Sequence, residues 1–175
     1  GVTLASREGY FRQELDARGR QIEHPEPWDP AERCPCVLKA KITVPIEDRQ
    51  VWVGGWLYVL EGHRGGRQPV ILLDTDLPEN AGADRKLTHH LYGGDERYRL
   101  AQEMILGIGG VRLLRALGHA ELRRFHMNEG HAALLVLEAA DSVKIDVYED
   151  RPPAPEAPPR PYATLAAGPR VILVQ

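Results

Sequence analysis

The sequence predicts an α/β fold in a single domain, and three observations support this fold class. Short apolar runs and alternating apolar residues between residues 36 and 73 predict three β-strands. Apolar side chains at helical spacing over residues 95–117 predict one long amphipathic helix. After this helix, LRRFHM predicts a short strand, and NEGHAALLVLEAA predicts a transition from strand to helix with Asn128 or Glu129 near the cap.

Before these elements, the chain predicts one strand, one ambiguous segment and a connector. Residues 2–5 predict a strand or strand end, and a start with Gly1 in place of methionine favours a beginning inside a domain. In GYFRQELDARGRQIE, the apolar residues are spaced for either a short helix or an extended segment. Three prolines in the next stretch, HPEPWDP, predict an extended loop.

The three central strands are VLKAKITVPI, VWVGGWLYVL and PVILLDTDL, and turn-forming residues separate them. We expect the first two to form a hairpin whose turn includes Asp48. The sequence HRGGR predicts a flexible, basic turn into the third strand. The polar stretch LPENAGADRKLTHHLYGGDERYRL then predicts a long loop of the kind that is usually functional or disordered.

The long helix has a predicted start and a predicted end. Gly94 and Asp95 fit its N-cap, and acidic Asp95 and Glu96 suit the positive end of the helix dipole. Gly118 fits the residue that ends the helix. The predicted apolar side includes Tyr98, Ala101, Ile105, Ile108, Leu113, Ala116 and Leu117, and the predicted polar side includes Arg97, Gln102, Arg112 and Arg115.

Within this helix, EMILGIGGVRLL contains three glycines, Gly107, Gly109 and Gly110. A phosphate cradle would place glycines in a turn between a strand and a helix, with the helix N-terminus facing the ligand. These glycines fall inside the helix instead, where each costs up to about 1 kcal/mol relative to alanine. We therefore expect a packing role, with Gly107 and Gly110 one turn apart on a flat side that contacts a strand or another helix.

Composition argues against several classes of function. The chain has 175 residues, of which 43% are hydrophobic and 27% charged, and its net charge is −3. This balance gives no electrostatic reason to expect nucleic acid or an anionic membrane as partner. The sequence has no apolar run that spans a bilayer and no signal-peptide pattern, so we expect a cytoplasmic protein. Cys34 and Cys36 are too close for a relaxed disulfide and too few for a zinc site.

Residues with candidate chemistry are densest in FHMNEGHAALL, residues 125–135. The zinc-protease helix needs histidines four residues apart, whereas His126 and His131 are five apart, which disfavours a metal site. Alternatively, the strand end lifts Asn128, Glu129 and His131 to the rim of the sheet, where α/β proteins bind ligands. An amide, a carboxylate and an imidazole suit a polyhydroxylated ligand. A third interpretation gives His131 only a helix-capping role.

Four segments together resemble one known family. GYFRQELDARG, VILLDTDLPEN, LTHHLYGGDERYRLAQEMILGIGGVRLLRALG and FHMNEGHAALLVLE are similar, in this order and spacing, to segments of the short bacterial form of α-glucan phosphorylase. The resemblance covers residues from about 4 to 138. It implies the GT-B architecture, in which two Rossmann-like domains face each other across a cleft, and it places this stretch in part of the N-terminal domain.

The resemblance also implies a reaction. The family cleaves the terminal α-1,4 bond of glycogen, starch or maltodextrin with inorganic phosphate, and releases glucose 1-phosphate with retained configuration. Its cofactor, pyridoxal 5′-phosphate, relays a proton to the substrate phosphate through its own phosphate group. The site must exclude water, because water would hydrolyse the glucosyl group that phosphate should capture.

Single residues receive roles from the resemblance. Asn128, Glu129 and His131 match the motif that lines the glucosyl pocket, with Glu129 where other branches of the family carry aspartate. Gly94 and Asp95 match the loop that gates substrate access before the long helix. We treat these five residues as candidates for substrate binding, and we assign no catalytic, cofactor-binding or metal-binding residue in this chain.

Arg99 and Glu103 match an RLxQE segment in the long helix. Because they are four residues apart, we expect a buried or half-buried structural ion pair between them. A catalytic role for the two side chains is the alternative.

Several parts of the family pattern have no counterpart in this sequence. They are the cofactor-binding lysine, the arginine and lysine that hold the substrate phosphate, the glycine-rich helix start and a TTHTP-like motif. Residues 1–140 form the partial phosphorylase N-terminal-domain segment, and residues 141–175 form a Pro-rich tail that we expect to be partly disordered. In this tail, RVILVQ is a short apolar run that could pair as a strand.

Two hypotheses about function follow. In the first, the chain is a portion of an α-glucan phosphorylase that contributes part of the glucosyl-binding side of the cleft. It would be inactive alone, because half of the cleft and the cofactor site, including the lysine that holds pyridoxal 5′-phosphate, are missing. In the second, it is a non-catalytic carbohydrate-binding or regulatory module, or a gene remnant. Exposed sheet edges and apolar helix faces predict marginal stability or self-association in either case.

Overall fold

The computed structural model describes residues 1–34, 36–91, 93–122, 124–128 and 130–140, and the backbone of residues 171–174. These residues form a seven-stranded sheet, helices that pack on it, and a separate two-stranded hairpin. The predicted α/β fold class is therefore confirmed.

The seven strands of the sheet run in both directions. They are β1 (Val2–Leu4), β4 (Cys36–Val37), β5 (Ile42–Ile46), β6 (Arg49–Glu61), β7 (Arg67–Asp74), β8 (Arg124–Met127) and β9 (Val171–Val174). Their spatial order is β4-β6-β7-β1-β9-β8, and β5 pairs with β6 outside this path. β1 is parallel to β7 and β9, β8 is parallel to β9, and β6 is antiparallel to β4, β5 and β7. The carboxyl ends of β1, β7 and β8 thus lie at one edge.

The three strands predicted between residues 36 and 73 are present, although the first is divided into β4 and β5. β5 and β6 form the predicted hairpin, in which Ile46 lies opposite Arg49 and the turn contains Asp48. Buried Val51 and Val53 flank the more exposed Trp52, as the period-two pattern requires. The predicted turn through HRGGR joins β6 to β7.

The ambiguous segment is extended. Its two strands, β2 (Phe11–Leu15) and β3 (Gln21–Pro25), form an antiparallel hairpin that is separate from the main sheet. The helical alternative is therefore wrong, and the apolar residues that suggested it lie largely in solvent: Leu15 is 66% exposed. The predicted HPEPWDP loop is shorter than expected, because α1 (Pro30–Arg33) begins within it and Asp29 caps that helix.

The long polar loop after β7 is held by side-chain hydrogen bonds. Asn80 bonds the backbone of Trp52 in both directions, and the guanidinium of Arg49 binds the buried carboxylate of Asp84. Asp84 begins a 3₁₀ turn, Asp84–Lys86. These bonds fix the loop against β6 and bring its last residues towards the carboxyl edge of the sheet.

The long helix is continuous, as predicted, but contains a turn of different pitch. It comprises α2 (Glu96–Met104), a π-helical turn (Ile105–Gly109) and α3 (Gly110–Ala116). The Asp95 carboxylate caps it by accepting a hydrogen bond from the Tyr98 amide at 2.9 Å, and Gly118 follows its end with a φ of 90°. The predicted cap and stop are confirmed.

The glycines have the predicted packing role, but the prediction of one flat side is wrong. A β-carbon on Gly107 would lie 2.5 Å from the backbone nitrogen of Leu135. On Gly109 it would lie 3.1 Å from Val44 in β5, and on Gly110 it would lie 3.3 Å from Val2 in β1. The three glycines thus face three different neighbours. All of them lie inside the continuous helix Glu96–Ala116, away from the N-terminus at which a phosphate would bind.

Beyond the long helix, β8 leads to a 3₁₀ turn, Gly130–Ala132, and α4 (Leu135–Ala139). The predicted strand in RVILVQ is also present: β9 lies between β1 and β8. Residues 141–170, which carry the predicted disorder, are outside the described residues, so that prediction and the division at residue 140 remain predictions.

The main core lies between the sheet and the long helix with α4. Its most buried side chains include Leu73, Ile105, Leu113 and Leu135. A smaller cluster lies on the other face of the sheet, where Ala5, Cys34 and Leu72 pack with Trp28 and Trp56. Both cysteines are free thiols. The pKa of Cys34 is raised because its thiol is buried, which favours the unreactive protonated form at neutral pH.

Candidate functional site

A cavity of about 370 Å³ opens at the carboxyl edge of the sheet. Its walls come from the end of β1, the last part of the long loop, one face of α2 and the segment after β8. This is the edge at which open α/β sheets bind ligands. The lining residues are Thr3, Leu4, Ser6, Tyr10, His90, Leu91, Arg99, Gln102, Glu103, Leu106, Asn128 and His131.

One wall is a single face of the long helix. Arg99, Gln102, Glu103 and Leu106 are spaced i, i+3, i+4 and i+7, which places them on the same side. The Gln102 amide donates to the carbonyl oxygens of Leu87 and His90, at 2.9 and 3.0 Å. Gln102 was predicted on the polar outer side of the helix, but it is only 9% exposed. Its amide can be buried because the two carbonyl oxygens accept its hydrogen bonds.

The opposite wall carries two of the predicted substrate-binding residues. Asn128 directly follows β8, and His131 lies in the 3₁₀ turn before α4. Both line the cavity; Asn128 is exposed and His131 is partly buried. The structure therefore brings them together at the predicted strand end. Glu129 is outside the described residues, so its place in the site remains a prediction.

The predicted ion pair between Arg99 and Glu103 is not formed. Glu103 Oε1 instead lies 3.7 Å from His131 Nδ1, across the cavity wall. Arg99 is exposed at the same cavity and has no ion-pair partner among the described residues. The helix places Arg99 and Glu103 on one face, but the turn that carries His131 packs against this face, so the Glu103 carboxylate lies beside His131 and not beside Arg99.

Gly94 and Asp95 lie at the N-terminus of α2 and do not line the cavity. Gly94 has a φ of 77°, and the Asp95 carboxylate is engaged in the helix cap. The Tyr98 hydroxyl donates to the Lys86 carbonyl at 2.8 Å, which joins this helix start to the loop that forms the cavity wall. Burial raises the pKa of Tyr98, so its hydroxyl stays protonated at neutral pH. The substrate-binding role of Gly94 and Asp95 remains a prediction.

A buried carboxylate organises the same edge of the sheet next to the cavity. Asp74, at the end of β7, accepts hydrogen bonds from Arg7 and from the Trp56 indole, both at 2.7 Å. It also accepts a bond from the Asp76 amide at 2.9 Å. Arg7 therefore ties the residues after β1 to the end of β7. A second, more open cavity of about 390 Å³ lies beside this cluster, between Arg7, Trp28 and His89.

Sequence reasoning missed several residues of the first cavity. Helical periodicity could have found Gln102 and Leu106, because they share a face with Arg99. No local pattern could have found Tyr10 or His90. They meet only because the segment after β1 pairs with the loop before α2, through a bridge between Glu8 and His90.

Among the described residues, no group of three or more histidines, cysteines, aspartates or glutamates is placed to hold a metal ion. In the described part of the chain, no helix is both long enough and apolar enough to cross a membrane.

Comparison with known proteins extends these observations. No protein-family model matches the chain. It is 40% identical over 138 residues to maltodextrin phosphorylase of Thermococcus litoralis, covering 75% of this chain and 16% of that relative. It is 39% identical over 165 residues to glycogen phosphorylase of Mycobacterium tuberculosis, covering 85% and 18%. Glycogen phosphorylase of Aquifex aeolicus is 34% identical over 97 residues, covering 55% and 13%.

These matches confirm the predicted resemblance over most of the chain. The Mycobacterium alignment covers 85% of the chain, which is more than the stretch from residue 4 to 138 that the sequence predicts. The chain spans less than a fifth of the length of each of these relatives.

Proposed function

We propose that this chain, which is homologous to a segment of the α-glucan phosphorylases, forms part of the glucosyl-binding side of the cleft in such an enzyme. The observation that carries the proposal is the cavity at the carboxyl edge of the sheet, where Asn128 and His131 face the α2 residues Arg99 and Glu103. Asn128, Glu129 and His131 bind hydroxyl groups of the glucosyl unit.

The lining of this cavity suits a sugar. A hydroxyl group both donates and accepts hydrogen bonds, and the cavity offers donors and acceptors together: an amide on Asn128, a carboxylate on Glu103 and an imidazole on His131. Leucine side chains from three of its walls add the apolar surface that small-molecule pockets usually have. They are Leu4, Leu91 and Leu106.

The place of the chain in the whole enzyme is also part of this proposal. Parallel strands β1, β8 and β9, covered by helices and with a cavity beyond their carboxyl ends, support an assignment to the N-terminal Rossmann-like domain of a GT-B fold. The second domain of that fold would close the cleft over the cavity. Gly94 and Asp95 belong to the loop that controls access from the side of α2.

Pyridoxal 5′-phosphate, the cofactor that the family implies, does not fit the described residues. Enzymes hold this cofactor through a lysine Schiff base, and no lysine lines either of the two cavities described above. Lys41 is paired with Glu79 at 2.5 Å, and Lys39 and Lys86 are exposed. We infer that the full-length enzyme binds the cofactor through residues outside these two cavities.

The activity of the whole enzyme is phosphorolysis of an α-1,4-glucan to glucose 1-phosphate, with the glucan and inorganic phosphate as its partners and the cytoplasm as its location. We expect this chain alone to be inactive, because none of the described residues that line the two cavities is a lysine. A non-catalytic glucan-binding module is the second candidate function, and the same lack of a cavity lysine supports it.

Calorimetric titration of the purified chain with maltoheptaose tests the proposal. We expect weak binding that falls by roughly tenfold in His131→Ala, the effect of losing one or two hydrogen bonds. His63→Ala is the matched control, because His63 is exposed in the β6–β7 turn at the other end of the sheet. Absence of any maltoheptaose binding would contradict the proposal. Glucose 1-phosphate formation after addition of phosphate and pyridoxal 5′-phosphate would contradict the claim of inactivity.

A further inference from the structure

We propose that the space between β1 and β8 is a strand-binding groove, that β9 is its tethered occupant, and that a separate extended apolar peptide can take the place of β9. The inference goes beyond the proposed glucan-binding function, because the ligand is a peptide and the site is the backbone of the sheet.

β9 is the element that joins β1 to β8, which do not pair with each other in the described sheet. It pairs with β8 along its whole length, and the pairing ends where Val174 lies opposite Met127. It pairs with β1 where Val174 lies opposite Val2. Val174 therefore connects the two strands in one row of the sheet. Without an occupant, the backbone N–H and C=O groups of β1 and β8 that face the groove would lack these partners.

β9 reaches this position from a distant part of the chain. β5 and β6 are joined by a tight turn and form a hairpin, whereas residues 141–170 separate α4 from β9. A strand joined in this way binds its neighbours as an intramolecular ligand, and the tether acts by raising its local concentration. Main-chain hydrogen bonds supply the affinity of such strand additions, and an untethered peptide can form the same bonds.

The sequence of β9 defines the kind of peptide that the groove takes. All four of its residues are apolar, and Val171, Ile172 and Val174 are β-branched, which favours the extended conformation. A continuous apolar run is typical of strands that have parallel neighbours on both edges. Proline is excluded from the middle of such a strand, because it has no N–H to donate. The groove therefore takes an apolar segment without central proline that runs parallel to β1 and β8.

The occupant of the groove also bears on the first cavity. Thr3 follows Val2, Asn128 follows Met127, and both Thr3 and Asn128 line that cavity. Because Val174 lies between Val2 and Met127, these two parts of the cavity wall stand two strand spacings apart, about 10 Å. Loss or replacement of β9 therefore changes the surroundings of Thr3 and Asn128.

Peptide exchange into the full chain tests the inference. A protease cleavage site in place of residues 151–160 allows the tether to be cut after folding, so that the groove alone retains β9. We expect a fluorescent peptide with the sequence of residues 166–175, added in excess, to enter the cut chain. It should bind the uncut chain at least about tenfold more weakly, because tethered β9 competes. The same peptide with Leu173→Pro is the control and should not enter. Fluorescence anisotropy measures the binding.

Three results of this experiment would overturn the inference: failure of the peptide to enter the cut chain, equal binding to the cut and uncut chains, or equal binding of the proline peptide. The last two would show that the peptide adheres outside the groove. No glucan is used, so the outcome is independent of the proposed function.

The full chain with Leu173→Pro gives a second reading by amide NMR. We expect the signals of Val2, Thr3 and Asn128 to move, because proline disrupts the pairing of β9. Addition of the unmodified peptide should return these signals to their positions in the unmodified chain, and the proline peptide should not. Signals that stay in place in the variant, or that the unmodified peptide does not restore, contradict the inference.

Discussion

The backbone of Gly107 touches the start of α4 at Leu135: a β-carbon at residue 107 would lie 2.5 Å from the Leu135 nitrogen and 2.8 Å from the Leu134 carbonyl carbon. Real β-carbons do not approach backbone atoms so closely. The glycine therefore lets the long helix and α4 pack backbone against backbone, and α4 follows directly on the turn that carries His131.

The first prediction concerns this contact. Gly107→Ala gains up to about 1 kcal/mol of helix propensity but must move α4, and overpacking of this kind costs about 1–3 kcal/mol. Because the added β-carbon meets backbone atoms, we expect the upper end of this cost, and thus a net loss of about 2 kcal/mol in the free energy of unfolding, measured by urea denaturation. Gly82→Ala is the control, because nothing lies within 4 Å of its added β-carbon. Equal stability of the two variants would show that α4 does not pack as described.

The second prediction concerns Gln102. Gln102→Leu removes the donor for the carbonyl oxygens of Leu87 and His90, which are then left unpaired inside the fold. We expect a loss of about 1–3 kcal/mol in the free energy of unfolding. Gln50→Leu, on the exposed side of β6, serves as the control and should change stability by less than about 0.5 kcal/mol. A neutral effect of Gln102→Leu would mean that water replaces the amide.

The third prediction concerns the buried carboxylate at the end of β7. Asp74→Asn removes the charge that Arg7 faces and places an amide donor among donors from Arg7 and Trp56. Asp74 is only 3% exposed, so we expect a loss of about 3 kcal/mol in the free energy of unfolding. Asp48→Asn removes a carboxylate from an exposed turn and should be close to neutral. Similar melting temperatures for both variants would contradict this account of the cluster.

The fourth prediction concerns the hairpin formed by β2 and β3. Phe11 and Leu15 lie on one face of this hairpin and are 47% and 66% exposed. We propose that this apolar face drives self-association, so the double substitution Phe11→Ser and Leu15→Ser should raise the monomer fraction in analytical ultracentrifugation. Leu137→Ser, at a 69% exposed position in α4, should leave that fraction unchanged. A monomer at every accessible concentration of the unmodified chain would contradict the prediction.

Much of the fold could be predicted because local patterns determine it. The pleat of β6 follows from alternation around Val51 and Val53, and the ends of the long helix follow from Asp95 and Gly118. The hairpin of β2 and β3 could not be assigned, because its apolar residues are largely exposed and their spacing fits two periodicities. No core contact decides between helix and strand there.

The candidate site was only partly predictable for a different reason. Asn128 and His131 lie in one short motif at a strand end, so their shared place follows from the sequence. The partner of Glu103 does not follow from the sequence, because His131 is 28 positions away along the chain. His131 approaches Glu103 where Gly107, which has no side chain, lets α4 pack closely against the long helix. Spacing along one helix predicts Arg99 as the partner, and a tertiary contact replaces it with His131.

The most direct test of the central claim is an amide NMR titration of the 175-residue chain with maltoheptaose. If the cavity is the glucosyl-binding side of a phosphorylase cleft, shifts will concentrate at Asn128, His131 and the α2 face from Arg99 to Leu106. The β6–β7 turn around His63 will remain unchanged. Absence of shifts at high maltoheptaose concentration, or shifts confined to the second cavity beside Trp28, would contradict the account.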